Sequence, residues 1–159
     1  MKMNKQEEKY LHFAFSIDSL NNAWRILNEI KNQQGNSLIG YAFQFALIEY
    51  SKPYKASFGN VVKHHKLSEV YVPNRHLELH KRILDARDRF HAHTDFSIRD
   101  AKIYITKTVY GKVVGRSQNL IYGTEEMVNI DDIIDLIEKT VEAMYKEAKR
   151  LEENLSADS

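Results

Sequence analysis

A long amphipathic segment between residues 130 and 155 narrows the choice of folds more than any other part of the chain. Its apolar residues hold heptad spacing for over three heptads, at Ile130, Ile134, Ile137, Val141, Met144, Ala148, Leu151 and Leu155. This spacing predicts one long helix, capped at Asn129, whose apolar face must be covered. Either other helices of the same domain or a second copy of the chain can cover it. Because 159 residues are the length of one domain, we favour an intramolecular bundle.

Three more segments have helical periodicity, with apolar residues at steps of three and four. The first extends from Tyr10 to Asn32 and precedes a turn at Gly35, a residue suited to a left-handed backbone. The second covers about residues 37 to 50 and is apolar on most sides, so we expect it at the centre of the bundle. The third covers about residues 75 to 95, with Asn74 as its cap.

Before the last helix, the periodicity changes to that of strands. Apolar and polar residues alternate from Ile103 onward, and Gly111 allows the chain to turn. We therefore predict a β-hairpin over about residues 102–122, which should lean on the helices because two strands alone are marginally stable. The predicted fold class is all-α, a single domain over residues 1–159. It is an up-and-down helical bundle of four main helices with this small hairpin inserted, and it ends in a polar tail at 156–159.

Composition excludes several kinds of chemistry. The chain contains no cysteine, so disulfides, thiolate metal sites and cysteine nucleophiles are excluded. The first nine residues are polar, and no later stretch reaches the length needed to span a membrane. We therefore expect a cytoplasmic protein without a membrane partner.

Charge is distributed unevenly, although the formal net charge is only +1. Residues 52–93 contain nine Lys or Arg against four Asp or Glu, together with six of the seven histidines. Residues 125–159 contain four Lys or Arg against eleven Asp or Glu. The middle of the chain is therefore the part expected to meet an anion, and the last helix the part with an acidic surface.

The basic region contains one dense polar motif, "ARDRFHAHTD", at residues 86–95. It follows the helical pattern of Leu79 and Ile83 and combines guanidinium, imidazole and carboxylate groups. An arginine presents a planar fork to phosphate, and a histidine transfers protons near neutral pH. Cleavage of RNA by its own 2′-hydroxyl needs these functions: a base, an acid and cationic donors that stabilise the charge on phosphorus.

This motif resembles the signature of the HEPN superfamily, particularly its abortive-infection branch. In that superfamily an arginine, commonly followed by a polar residue, precedes a histidine by four to six residues, as Arg87-Asp88 precedes His93 here. The resemblance implies a helical bundle and a metal-independent endoribonuclease of a defence or toxin-like system. It implies no cofactor and no metal. It also implies RNA as the substrate, a homodimer with paired motifs, and an antitoxin or regulatory protein as a further partner.

By the same resemblance, Arg87 and His93 are the catalytic pair, and Asp88 orients or polarises one of them. Helix geometry complicates this assignment, because six residues place Arg87 and His93 about 120° apart and about 9 Å along the axis. Arg89 is four residues before His93 and lies on nearly the same face. We therefore assign Arg89, together with His91, to substrate binding.

Two other interpretations of these residues are open. The arginines form surface ion pairs in the simplest case, Arg87 with Asp88 and Arg89 with Asp85. A zinc enzyme is a further class, because His76 and His80 are spaced as metal ligands on one helix face. The alternative function closest to the resemblance is a non-catalytic HEPN-type module that dimerises or binds a nucleic acid or nucleotide without cleaving it.

Overall fold

The computed structural model describes residues 3–33, 35–91, 102–117 and 123–155, without the side chains of Phe90 and His91. Within these ranges the chain forms four α-helices: α1 (Lys5–Asn32), α2 (Ile39–Ser51), α3 (Leu77–His91) and α4 (Ile130–Glu153). Two strands, β1 (Lys102–Thr108) and β2 (Gly111–Ser117), pair antiparallel between α3 and α4. The mainly helical fold with a small hairpin before the last helix agrees with the prediction.

The helix α1 begins five residues earlier than its periodicity predicts. The Asn4 side chain accepts hydrogen bonds from the backbone N–H groups of Gln6 and Glu7, and the Glu7 carboxylate accepts one from the Asn4 backbone. This reciprocal arrangement satisfies amides that the first turn would otherwise leave unpaired. After α1 the chain turns at Gly35, whose φ of 86° is in the left-handed region, as predicted.

The helix α1 packs against both α2 and α4, and α2 packs against α3. Two contacts show that α1 and α4 are antiparallel. Near the middle of α1, the Trp24 indole donates to Glu138 at 2.8 Å, and at its end Lys31 pairs with Asp131 near the start of α4. Their common interface contains the largest buried apolar cluster, which α2 and α3 complete: Leu20, Leu27, Phe43, Leu47, Ile83, Ile133, Ile137 and Met144.

The heptad face of α4 is covered within the same chain. Ile137 and Met144 are almost fully inaccessible to solvent, and Ile134 and Val141 are also buried. The apolar face of α4 is therefore covered by other helices of the same domain and not by a second copy of the chain. The helix α4 begins directly after Asn129, as predicted, but the Asn129 side chain donates to Glu126 and forms no cap hydrogen bond.

Two expectations about α2 and α3 are only partly correct. In α2, Phe43 and Leu47 are buried, but Tyr41 and Phe45 are 60% and 52% exposed, so the helix is central on one face only. Leu38, just before α2, is 62% exposed. A 3₁₀ turn over Asn74–His76 precedes α3, so Asn74 lies at the start of this turn, three residues before the helix, and not at the helix cap position. The predicted end of this helix near residue 95 lies outside the described residues.

The β-hairpin projects from the bundle. All residues of both strands are exposed, including Ile103, Ile105 and Val114 on one face. The expectation that the hairpin leans on the helices is therefore wrong for its described residues. The turn also lies earlier than predicted, at Val109 and Tyr110. None of the helices in the described ranges is long and apolar enough to cross a membrane.

Candidate functional site

The predicted catalytic arginine lies in the second half of α3. Arg87 Nη1 donates to Asp88 Oδ1 at 3.0 Å, and its side chain is 27% exposed. The other oxygen of the same carboxylate accepts a hydrogen bond from Lys55 Nζ at 2.6 Å. Lys55 comes from the connection after α2, so a second element of the fold contributes a cation here. Two cations share one carboxylate, and this Arg87 cluster (Lys55, Arg87 and Asp88) keeps a net charge of +1.

The environment of Asp88 keeps its carboxylate ionised. Partial burial acts to raise the pKa of Asp88, but hydrogen bonds from Lys55 and Arg87 outweigh burial and lower the pKa below the ordinary value. A carboxylate with a lowered pKa is a poor proton donor at neutral pH. Asp88 is therefore suited to orienting the two cations.

Arg89 lies apart from the Arg87 cluster. Residues two positions apart on a helix point about 200° apart, and Arg89 forms an ion pair with Asp85 at 2.5 Å, one turn earlier. Both side chains of this pair are about half exposed. The structure thus realises the surface ion pair that the sequence suggested and does not bring Arg89 to Asp88.

Of the two predicted histidines of the motif, only the backbone of His91 lies within the described part of the chain. The backbone of α3 continues regularly to His91, but its side chain is outside the described atoms. His93 lies in the segment 92–101, which is outside the described residues. The catalytic assignment of His93 and the substrate-binding assignment of His91 therefore remain predictions.

The histidines that suggested zinc have other partners. His76 Nε2 hydrogen-bonds Asp135 at 2.6 Å, and His80 Nδ1 contacts the Tyr50 hydroxyl at 2.7 Å. His80 is completely buried, and burial lowers its pKa. In the described part of the chain, no three His, Asp or Glu side chains are grouped as a metal ion would require. These two histidines connect helices of the bundle.

Sequence analysis missed a second polar site, a cavity of about 530 Å³. It lies between the first half of α1, the connection after α2 and the end of α4. Four lysines and three histidines contribute to its lining, against one carboxylate, Glu147, which already pairs with Arg150 at 2.6 Å. A volume of this size is typical of ligand-binding cavities.

One side of the cavity is held in place by a buried carboxylate, Glu8. It accepts hydrogen bonds from the backbone N–H groups of Asn60, Val61 and Val62 at 2.8 to 2.9 Å, and from His65 Nε2 at 2.9 Å. The hydrogen bond from His65, followed by those from the loop amides, lowers the pKa of Glu8 from 4.5 to about 2. The ionised Glu8 therefore fastens the loop to the first turn of α1.

Two of the cavity histidines lie face to face. The His12 ring stacks on His65 with 3.7 Å between centroids and 9° between planes, and His12 Nδ1 is 3.4 Å from Ser57 Oγ. Burial and the neighbouring charge of His65 lower the pKa of His12, with Glu8 acting in the opposite direction. A His12 with a lowered pKa is neutral at pH 7.

No protein-family model matches the chain, and no curated protein or solved structure is significantly similar to it. The resemblance to the HEPN superfamily therefore rests on the motif at residues 86–95 and on the helical layout.

Proposed function

We propose that this protein is a metal-independent endoribonuclease of the HEPN type, acting in a defence or toxin-like system. The observation that carries the proposal is the Arg87 cluster on the surface of α3. Arg87 is oriented by Asp88 at 3.0 Å, and Lys55 brings a second cation to the same carboxylate at 2.6 Å. An oriented guanidinium beside an ammonium group is suited to holding a phosphodiester.

In this mechanism Arg87 binds the scissile phosphate and stabilises the charge that develops on its oxygens, with Lys55 as the supporting cation. His93 accepts the proton of the 2′-hydroxyl as that oxygen attacks phosphorus. The bond to the 5′-oxygen breaks, and the leaving oxygen takes up a proton from water. The products are a 2′,3′-cyclic phosphate and a 5′-hydroxyl. The cationic side chains supply the positive charge, so the reaction as proposed needs no metal ion.

The proposal includes a homodimer, because paired motifs can share one phosphate when a single helix cannot bring Arg87 and His93 together. The apolar face of α4 is occupied within the bundle, so the dimer needs another surface. Leu38, which precedes α2, and Tyr41 and Phe45 within it are spaced three and four residues apart and form an exposed apolar face that supports such a contact. We also propose an antitoxin or regulatory protein as a partner, and this part of the proposal is based only on the resemblance to the HEPN superfamily.

Incubation with mixed RNA in excess chelator tests the proposal directly. The purified protein should fragment the RNA, whereas an Arg87→Ala/His93→Ala double variant should leave it intact. A Lys81→Ala variant is a matched control, because Lys81 is exposed on α3 and pairs with Glu78 instead of Asp88. Cleavage that requires added zinc would contradict the proposal, and so would equal cleavage by the double variant.

The β-hairpin favours a second candidate, a module that binds nucleic acid without cleaving it. From Lys102 to Ser117 the chain contains three Lys and one Arg and no Asp or Glu. Lys107, Lys112 and Arg116 share one face of the hairpin with exposed aliphatic residues. Such a basic, exposed surface is suited to a phosphate backbone. Tight RNA binding by the parent protein without any cleavage would favour this module.

A further inference from the structure

We propose that the cavity beside α1 is a subsite for one unpaired nucleotide of the RNA chain held at the Arg87 cluster. This inference rests on the proposed function, because it names how the same substrate continues beyond the phosphate at Arg87. Three properties of the cavity support the subsite: its charge, its aromatic side chains and its position.

The charge of the cavity matches a phosphate backbone. Lys5, Lys9 and Lys66 line it with exposed side chains, and within the described ranges none of them forms an ion pair. Lys52 also lines it and pairs with the buried Glu49. Several unpaired ammonium groups around one concave surface create a positive potential that attracts a polyanion.

Aromatic side chains line the same cavity and offer faces to a base. Phe13 and Tyr71 meet edge to face, with centroids 5.6 Å apart, and Phe15 is 59% exposed to solvent. Single-stranded nucleic acids are bound by this combination, in which cations follow the backbone and aromatic rings stack on the bases. Serine hydroxyls at Ser16, Ser57 and Ser68 add hydrogen-bonding groups for sugar or base edges.

The position of the cavity connects it to the Arg87 cluster. Lys55 contacts Asp88, and Ser57, two residues further on, lines the cavity. Two residues of extended chain span at most about 7 Å, so the segment joins the cluster directly to the cavity rim. A strand of RNA bound at Arg87 can therefore place another of its nucleotides in the cavity.

The hydrogen bonds between Glu8 and the loop at residues 60–65 explain why the cavity is already formed without a ligand. Glu8 fixes residues 60–62 and His65 through four hydrogen bonds, and His65 in turn stacks on His12. A preformed site avoids the cost of ordering a loop when the ligand binds.

The test measures binding of 2′-O-methyl oligoribonucleotides, which lack the attacking hydroxyl and so separate binding from cleavage. Fluorescence anisotropy with a trimer and an octamer, at several salt concentrations, compares the parent protein with Lys9→Ala/Lys66→Ala and with Phe15→Ala. All three side chains are exposed, and thermal unfolding checks that each variant keeps the fold. Lys149→Ala is the matched control, because Lys149 is exposed on α4 but does not line the cavity.

For the parent we expect tighter binding of the octamer than of the trimer. The lysine double variant should lower the salt dependence of octamer binding by about 1.4 in the log–log slope, since each single-strand phosphate contact contributes about 0.7. Phe15→Ala should weaken binding about tenfold, and Lys149→Ala should bind like the parent.

Parent-like octamer binding by the lysine double variant and by Phe15→Ala would overturn the subsite. Displacement of the octamer by inorganic phosphate alone at similar concentration would overturn it too, because the cavity would then be a simple anion site. These outcomes are distinct from failure of the nuclease proposal. A protein that binds the octamer through the cavity but cleaves no RNA retains the subsite and loses the catalytic assignment.

Discussion

The imidazole rings of His12 and His65 are stacked at 3.7 Å, although one belongs to α1 and the other to the connection after α2. The contact depends on Glu8, which lies one helical turn before His12 and accepts a hydrogen bond from His65 at 2.9 Å. Glu8 thus holds the His65 ring, which lines the cavity together with His12.

Glu8 should make the stability of the protein depend on acid pH. The pKa of Glu8 is about 2 in the folded protein, against an ordinary value of 4.5 for the unfolded chain. Between these two pH values the unfolded chain therefore binds more protons than the folded protein. Its contribution to stability is complete above about pH 5 and is lost as the pH falls toward about 2. In thermal unfolding, the parent should lose more of its Tm than Glu8→Gln does when the pH falls through this range. Glu29→Gln, at an exposed position of the same helix, should follow the parent, and parallel curves for Glu8→Gln and parent would contradict the role of Glu8.

Gly59 should not tolerate a side chain. A Cβ added there would lie 2.1 Å from Glu8 Oε1, 2.6 Å from the Val62 carbonyl oxygen and 2.7 Å from His65 Nε2. Because the neighbouring backbone cannot move without breaking the Glu8 hydrogen bonds, Gly59→Ala should destabilise the protein by about 1–3 kcal/mol. Denaturant unfolding measures the loss. Gly115→Ala is the matched control, since its nearest contact would be an ordinary 3.8 Å, and an equal effect of the two substitutions would be inconsistent with this explanation.

The hydrogen bond between Tyr50 and His80 should contribute to the stability of the core. Both residues are fully buried, and the Tyr50 hydroxyl lies 2.7 Å from His80 Nδ1. Removing the hydroxyl by Tyr50→Phe leaves a buried ring nitrogen without this partner, which costs about 1–3 kcal/mol. Urea unfolding should show this loss for Tyr50→Phe and almost none for Tyr145→Phe, where the side chain is 55% exposed. A Tyr50→Phe protein as stable as the parent would show that the hydrogen bond adds nothing.

Lys55 should support RNA cleavage although it lies far from the motif in the sequence. Lys55→Ala removes one of the two cations on Asp88 and a charge-assisted hydrogen bond, so cleavage in chelator should slow about tenfold. Lys55→Arg keeps the charge and should recover most of the rate. Lys81→Ala, which removes an exposed lysine of α3 that pairs with Glu78 and not with Asp88, should cleave like the parent. If Lys55→Ala also cleaves at the parental rate, Lys55 has no part in phosphate binding.

The helices could be predicted because their signals are local. Apolar steps of three and four mark α1, α2 and α4 directly in the sequence, and the structure places all three within a few residues of the predictions at their C-terminal ends. The start of α1, however, depends on side-chain hydrogen bonds that periodicity does not contain. Asn4 caps α1 through its side chain, whereas Asn129, the same residue type before another helix, does not cap α4.

The polar sites depend on contacts between distant segments, which explains what sequence analysis missed. Glu8 is one of two acidic residues in the first turn of α1, and nothing around it indicates that residues 60–65 will enclose it. Lys55 lies in a weakly patterned segment, and only folding places it on Asp88. The pairing of Arg89 with Asp85, by contrast, follows from their four-residue spacing on one helix.

The β-hairpin contributes no buried residue to the bundle, although it is inserted between two helices that belong to the core. Core packing, which limits substitutions in the helices, therefore does not limit substitutions along Lys102–Thr108 and Gly111–Ser117. Such a segment can change its charge, length and recognition surface during evolution while the scaffold keeps its stability. Among the described elements, the hairpin is accordingly the one best suited to being exchanged between proteins that share this bundle but differ in what they recognise.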